Sequence, residues 1–94
     1  MESTITCYYQ SKNLAKVYQH YRANTEKSEQ HYLLAKLPTS YKKVTIDTDF
    51  AEIIYRPTKT DMSIDQQFTD GVTNLDFSRI SKNTIKVITQ LLPD

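Results

Sequence analysis

The spacing of apolar residues changes near residue 11. Residues 4–10 are rich in β-branched and aromatic side chains, which is typical of a strand. After Ser11, apolar residues recur at intervals of three and four, as on one face of a helix: Leu14, Val17, Tyr18 and Tyr21. The pattern therefore predicts a strand near 4–10, followed by a helix near 11–23 with Ser11 as its cap.

Residues 24–57 combine an ambiguous segment with a clear hairpin. Residues 31–37 fit either a strand or a helix, and their Leu, Ala and Lys content favours a short helix near 28–37 that ends at Pro38. Farther along, two runs with strand character flank Thr48 and Asp49. They predict a hairpin with strands near 43–47 and 50–56, and the absence of glycine favours a longer loop built on a type I turn.

The last third of the chain predicts a loop and a helix. Residues 58–76 are mostly polar with scattered apolar points, which predicts a polar, mobile loop with at most a short hairpin of 66–68 with 72–75. On a helical wheel, residues 78–92 divide into a polar arc and an apolar side. This division predicts a C-terminal helix near 78–92 that Pro93 ends.

These elements predict one α+β domain spanning residues 1–94. The fold class is a two-layer sandwich, in which a small antiparallel sheet is packed by the helices near 11–23 and 78–92. The predicted core consists of the apolar residues of these elements: Ile5, Cys7, Leu14, Val17, Tyr18, Tyr21, Leu33, Leu34, Leu37, Val44, Ile46, Ile53, Tyr55, Ile80, Ile88 and Leu91.

Composition narrows the function classes. The single glycine, Gly71, argues against phosphate-binding loops built on glycine. Cys7 is the only cysteine, so no disulfide forms within the chain and a secreted setting is disfavoured. No stretch has the apolar length of a membrane span or the pattern of a secretory leader. We therefore expect a cytoplasmic protein without a membrane partner.

Charge is segregated along the sequence, although the net charge is only +1. The balance is +4 over residues 1–45, −5 over residues 46–77 and +2 over residues 78–94. In the predicted last helix, Arg79, Lys82 and Lys86 form a basic stripe, which Lys42 and Lys43 could extend. Such a stripe fits a phosphate backbone or an acidic protein, and it is also what a solvated helix face looks like.

The predicted order of elements resembles two RNA-directed families. Over roughly residues 11–92 it resembles the double-stranded-RNA-binding domain in topology, with Arg79, Lys82 and Lys86 at the matching basic positions. This resemblance requires residues 31–37 to form a strand. A leading strand followed by two helices and a sheet is also similar to the small ribosome-dependent endoribonuclease toxins, where Tyr55 and Arg56 would occupy late-strand catalytic positions.

The sequence predicts neither an enzyme nor a metal site. Asp47, Asp49 and Glu52 surround a turn, but a dedicated calcium site needs more oxygen ligands and usually a glycine-dependent loop. His20 and His31 have no cysteine or carboxylate at ligand spacing. We expect no cofactor, and no nucleophile and base are placed together by local sequence.

Tyrosine is the residue type that favours an interaction role, since the chain has seven tyrosines and no tryptophan. If Ile5 and Cys7 face the core, Tyr8 points to the opposite side of its strand. We therefore expect a non-catalytic protein-binding or regulatory module, for which a homodimer is one form. The alternative is a nucleic-acid-binding accessory protein that uses the basic residues.

Overall fold

The computed structural model describes residues 3–93, and they form one six-stranded antiparallel sheet with two helices. The strands are β1 (Ser3–Gln10), β2 (Lys42–Ile46), β3 (Ala51–Pro57), β4 (Met62–Phe68), β5 (Gly71–Ser81) and β6 (Thr84–Pro93). The helices are α1 (Leu14–Ala23) and α2 (Lys27–Gln30). The order across the sheet is β1-β6-β5-β4-β3-β2, so β1 and β2 are the two edges. The prediction of a mixed α+β protein is confirmed.

The first helix and the hairpin match the prediction closely. Asn13, rather than Ser11, caps α1, and its side chain accepts a hydrogen bond from the Lys16 amide at 3.1 Å. Val17 and Tyr18 are buried as the spacing predicts. A 3₁₀ turn, Asp47–Asp49, joins β2 to β3, and Phe50 completes it in the left-handed region at φ 52°.

The predictions of a loop at 58–76 and of a helix at 78–92 are wrong, whereas the short hairpin of 66–68 with 72–75 is present as part of β4 and β5. Residues 58–76 are not a mobile loop, because β4 and β5 pair along the whole of β4. Residues 78–92 are not a helix, because they form the end of β5, a turn at Lys82–Asn83 and β6. The β-branched residues that disfavour a helix here suit a pleated sheet. They also alternate in burial along β6, where Ile85 and Val87 are buried.

The predicted helix near 28–37 is reduced to the four residues of α2. The chain from His31 to Tyr41 is irregular and is held by hydrogen bonds to its backbone. The Tyr18 hydroxyl donates to the Leu34 carbonyl at 2.5 Å, and the Leu34 amide donates to the Tyr55 hydroxyl at 2.9 Å. These bonds replace the internal ladder that a helix would supply.

The core lies on one face of the sheet, which we call the helix side because α1 and Leu33 pack there. The buried side chains on this side come from alternate positions of the four central strands: Ile53, Tyr55, Met62, Ile64, Leu75, Phe77, Ile85 and Val87. Of the predicted core, Ile5, Cys7, Ile80 and Leu91 are exposed instead. Ile5 and Cys7 lie on an edge strand, where only part of the sheet is covered.

The opposite face, the open side, carries mostly polar side chains, as expected for an antiparallel sheet covered on one side. The Asp65 carboxylate accepts hydrogen bonds from Arg56 and from Asn74. Ile54 is buried on this face, with Lys43 and Asp65 as its cross-strand neighbours. The open side thus accounts for the polar composition of residues 58–76.

Alkaline pH is expected to destabilise the fold. Burial raises the pKa of Tyr18, and burial also raises the pKa of Tyr21. In the unfolded chain both phenols ionise near pH 10 (roughly the ordinary value), so the unfolded state releases protons first. The contribution of these two phenols to the free energy of unfolding should be fully present below that pH and should be lost as the pH rises above it. Urea denaturation followed by circular dichroism at a series of pH values measures this.

The matched control removes one titrating hydroxyl. Tyr21→Phe should show a shallower fall of stability with rising pH than the wild-type protein, whatever its stability at neutral pH. Equal slopes in the two proteins would show that Tyr21 ionises equally in the folded and unfolded states.

Candidate functional site: the β1 edge and the cleft beside it

The residues of the predicted basic stripe do not share one face. Arg79 lies on the helix side, where its guanidinium donates to the Lys12 carbonyl at 2.7 Å. Lys86 lies on the open side, opposite Ser78, and Lys82 lies in the turn between β5 and β6. Because the segment is a hairpin and not a helix, the spacing of three and four residues no longer aligns these cations.

Lys42 and Lys43 do not extend this set. They lie on β2, and β3, β4 and β5 separate that strand from β6, which places the two strands about 19 Å apart at ordinary strand spacing. The Lys43 ammonium is 3.4 Å from the Glu52 carboxylate on the neighbouring strand. The structure therefore does not bring the predicted nucleic-acid-binding residues together.

The structure contradicts one of the two RNA-directed resemblances and retains the element order of the other, a leading strand followed by two helices and a sheet. Residues 31–37 form no strand and residues 78–92 form no helix, so the topology differs from that of the double-stranded-RNA-binding domain. The late-strand pair expected from the toxin resemblance is engaged in contacts within the fold. Tyr55 is fully buried, and Arg56 is paired with Asp65.

Tyr8 is where the sequence places it. Ile5, Cys7 and Tyr9 lie on the helix side of β1, and Tyr8 lies on the open side with 64% of its surface exposed. It is one of six exposed large apolar residues within residues 3–93. Ile5 is 55% exposed, and Leu91 on β6 beside β1 is 43% exposed. Three of the six therefore lie on β1 or on the strand next to it.

The two edges of the sheet differ in length and charge. β2 has five residues and begins with two lysines, a common way to prevent edge-to-edge pairing. β1 has eight residues, none of them charged and none proline, and seven are exposed. Its outer side presents backbone N–H and C=O groups from alternate residues, since β6 pairs with the other side only. This edge is open to another strand.

A cleft of about 320 Å³ lies on the helix side next to β1. Its inner wall contains the buried residues Leu33, Leu75 and Val87. Ile5 and Leu91, both exposed, line it as well, so the cleft opens toward the β1 edge. The cleft exists because α1 and α2 leave this corner of the sheet uncovered.

Three of the polar side chains that line the cleft, Tyr21, Thr89 and Gln66, are bonded within the protein, and Glu29 places a carboxylate at the cleft as well. The hydroxyls of Tyr21 and Thr89 are 3.1 Å apart, and burial raises the pKa of Tyr21. The Gln66 amide donates to the Tyr32 carbonyl at 3.3 Å. A side chain that enters the cleft therefore contacts mainly apolar surface, which suits a hydrocarbon side chain.

Sequence reasoning missed this cleft and placed Ile5, Cys7 and Leu91 in the core. The available signal was the uncharged stretch at residues 3–10, in a chain of which 24% is charged. Among residues 3–93, no group of three or more His, Cys, Asp or Glu side chains is placed to share a metal ion. Nor does that part of the chain contain a helix long and apolar enough to cross a membrane.

Comparison with known proteins finds no matching family model, no matching curated protein and no matching solved structure.

Proposed function

We propose that the chain is a non-catalytic protein-binding module whose binding surface is the free edge of β1. A partner would add an extended strand there and continue the sheet. The observation that carries the proposal is an eight-residue edge without charge or proline, exposed along most of its length. Strand addition uses the main chain for affinity and alternate side chains for specificity.

The contrast between the two edges supports this choice of surface. An uncharged edge strand invites pairing and aggregation, and proteins commonly prevent this with lysine, proline or a short strand. β2 has two lysines in five residues. β1 has no lysine or proline and is longer. This difference is expected if the β2 edge is protected against pairing and the β1 edge binds a partner strand.

Side chains on both faces of β1 suit a peptide partner. On the open side, Tyr8 offers an exposed ring beside Thr6, and aromatic and β-branched residues form favourable cross-strand pairs. On the helix side, Ile5 and Cys7 border the apolar cleft. A strand paired with β1 would direct every second side chain toward that cleft.

The test is affinity capture from the lysate of the native cells, with one half of the lysate treated with nuclease. The wild-type protein is compared with Thr6→Lys on β1 and with Thr45→Lys on β2. Both positions are exposed and both changes add one positive charge. We expect the wild type and Thr45→Lys to capture the same proteins from the nuclease-treated half. Thr6→Lys should capture about tenfold less of these proteins, since an edge lysine opposes strand pairing.

Equal capture by all three proteins, or capture of nothing that survives nuclease, would contradict the proposal. Thermal melts of the two variants verify that each is folded.

A further inference from the structure

We infer that one strand partner of the β1 edge is a second copy of this chain, paired antiparallel through β1 about a two-fold axis at Thr6. This inference rests on the proposed function of that edge. The two sheets would join into one continuous sheet of twelve strands, since each copy contributes six. Both helix layers would lie on the same side, because the two-fold axis is perpendicular to the sheet.

The absence of charge on β1 permits self-pairing in particular. A two-fold axis brings like residues together, so a charged residue near the axis would face its own copy. Ser3–Gln10 contains no charged residue, and it is rich in the β-branched and aromatic side chains that stabilise cross-strand pairs. The strand is therefore complementary to itself in a way that a lysine-bearing edge is not.

Symmetry and the greatest overlap of the two strands together leave two registers. Residues directly opposite in an antiparallel pair share a face, so the axis must pass through a residue and its own copy. Centring on Thr6 or on Cys7 keeps seven of the eight residues of β1 paired. The carbonyl of Tyr9 already accepts a hydrogen bond from the Ser11 amide at 3.1 Å, so the end of β1 is partly used. Tyr9 lies within the paired stretch in both registers, so the side chains that each register brings together decide between them.

The Thr6 register is favoured because it brings a side chain of the partner subunit over the cleft. It places Ile5 of one copy opposite Cys7 of the partner subunit, and both residues line the cleft. Centring on Cys7 would place Ile5 opposite Tyr9 of the partner subunit, and Tyr9 does not line the cleft. In the Thr6 register each copy covers the open mouth of the other's cleft with an apolar side chain. The exposed surface of Ile5 is then removed from water at the interface, which favours association.

On the open side the same register forms compatible pairs. Thr6 meets its own copy, and Thr4 meets Tyr8 of the partner subunit. Pairs of threonines and of threonine with an aromatic ring are among those that stabilise antiparallel strands. The exposed ring of Tyr8 would be partly covered as a result.

The test is sedimentation velocity of the purified protein over a wide concentration range. We expect the wild type to show a reversible dimer and Thr45→Lys to match it. Thr6→Lys and Thr6→Glu should each associate about fivefold more weakly, because like charges would face each other at the axis. An equimolar mixture of the two variants should regain dimer, since opposite charges then meet.

A cross-linking experiment tests the register separately. Thr6→Cys in a Cys7→Ser background should form an intermolecular disulfide under mild oxidation, because residue 6 would face its own copy. The wild type, with Cys7 facing Ile5, should cross-link far less. Efficient cross-linking of the wild type, with little in the variant, would overturn the Thr6 register.

A single monomeric species at the highest soluble concentration would overturn the inference. So would equal dimerisation of every variant, or a failure of the Thr6→Lys and Thr6→Glu mixture to associate better than either alone. These results are obtained with the purified chain, whereas the proposed function is tested separately by capture from lysate. If the purified wild type is monomeric and Thr6→Lys captures fewer lysate proteins than the wild type, the inference is refuted and the proposed function stands.

Discussion

Phe77→Ala is expected to lower the free energy of unfolding by about 3–5 kcal/mol, which is the usual loss for removing a buried aromatic ring. Phe77 is fully buried at the centre of the helix side. The rings of Tyr18 and Tyr21 on α1 contact it edge-to-face, with centroids 6.0 and 5.7 Å away. The variant would therefore lose the main aromatic contact between helix and sheet. Urea denaturation followed by circular dichroism measures the change.

The matched control is Phe50→Ala. Phe50 is 79% exposed. Residue 50 has a left-handed backbone conformation, in which alanine and phenylalanine have a similar energetic cost. We expect this change to alter the free energy of unfolding by no more than about 0.5 kcal/mol. A domain of this size has roughly 5–15 kcal/mol of stability, so the loss in Phe77→Ala is a large fraction of the total and should lower the urea midpoint well below that of Phe50→Ala. Similar losses in the two variants would mean that Phe77 is not the packing centre.

Tyr55→Phe is expected to cost about 1–3 kcal/mol and to loosen residues 31–41 selectively. The Tyr55 hydroxyl accepts the hydrogen bond of the Leu34 amide at 2.9 Å, and the Tyr18 hydroxyl donates to the carbonyl of the same residue at 2.5 Å. Phenylalanine keeps the ring in the core and leaves that amide without its partner. Hydrogen exchange at Leu34 should accelerate more than exchange at Val87 in β6.

Tyr8→Phe is the control, because it removes a hydroxyl from an exposed ring and should change stability by less than about 0.5 kcal/mol. A double variant with Tyr18→Phe should be less destabilised than the sum of the single changes, since both hydroxyls hold the same residue. If Tyr55→Phe behaves like Tyr8→Phe, the Tyr55 hydroxyl does not hold the irregular segment, and the remaining bonds, such as that from Tyr18 to Leu34, suffice.

The sequence predicted an element correctly where its pattern of residues fitted only one type of secondary structure. The spacing from Leu14 to Tyr21 fits only a helix, and α1 is present. The runs around Thr48 and Asp49 fit only a hairpin, and β2 and β3 pair there. Local rules sufficed for these elements because their neighbours in space are also neighbours in sequence.

The failures have two physical causes. Along β6 the buried residues Ile85 and Val87 alternate with period two, while Arg79, Lys82 and Lys86 recur at helical spacing, so one segment satisfied both patterns. In β4 the alternation of Met62 and Ile64 continues at Gln66, a buried polar residue whose amide donates to the Tyr32 carbonyl. That residue concealed the strand.

The candidate site was not predictable from periodicity at all. Ile5 and Leu91 have the pattern of core residues, and only the extent of the helix layer decides whether they are covered. A short α2 leaves that corner of the sheet open. The wide separation of Lys43 and Lys86 likewise follows from strand order, which no local pattern specifies.

The place of β1 in the strand order has a consequence for how the chain folds. Strands β2 to β6 form successive hairpins, whereas β1 pairs with β6 across almost the whole sequence. Closing so large a loop is slow, so we expect the hairpins to form first and β1 to dock last. Until then β6 is itself a bare edge that carries Ile85 and Val87. An unpaired edge favours association between chains, so aggregation should compete with folding most strongly before β1 docks.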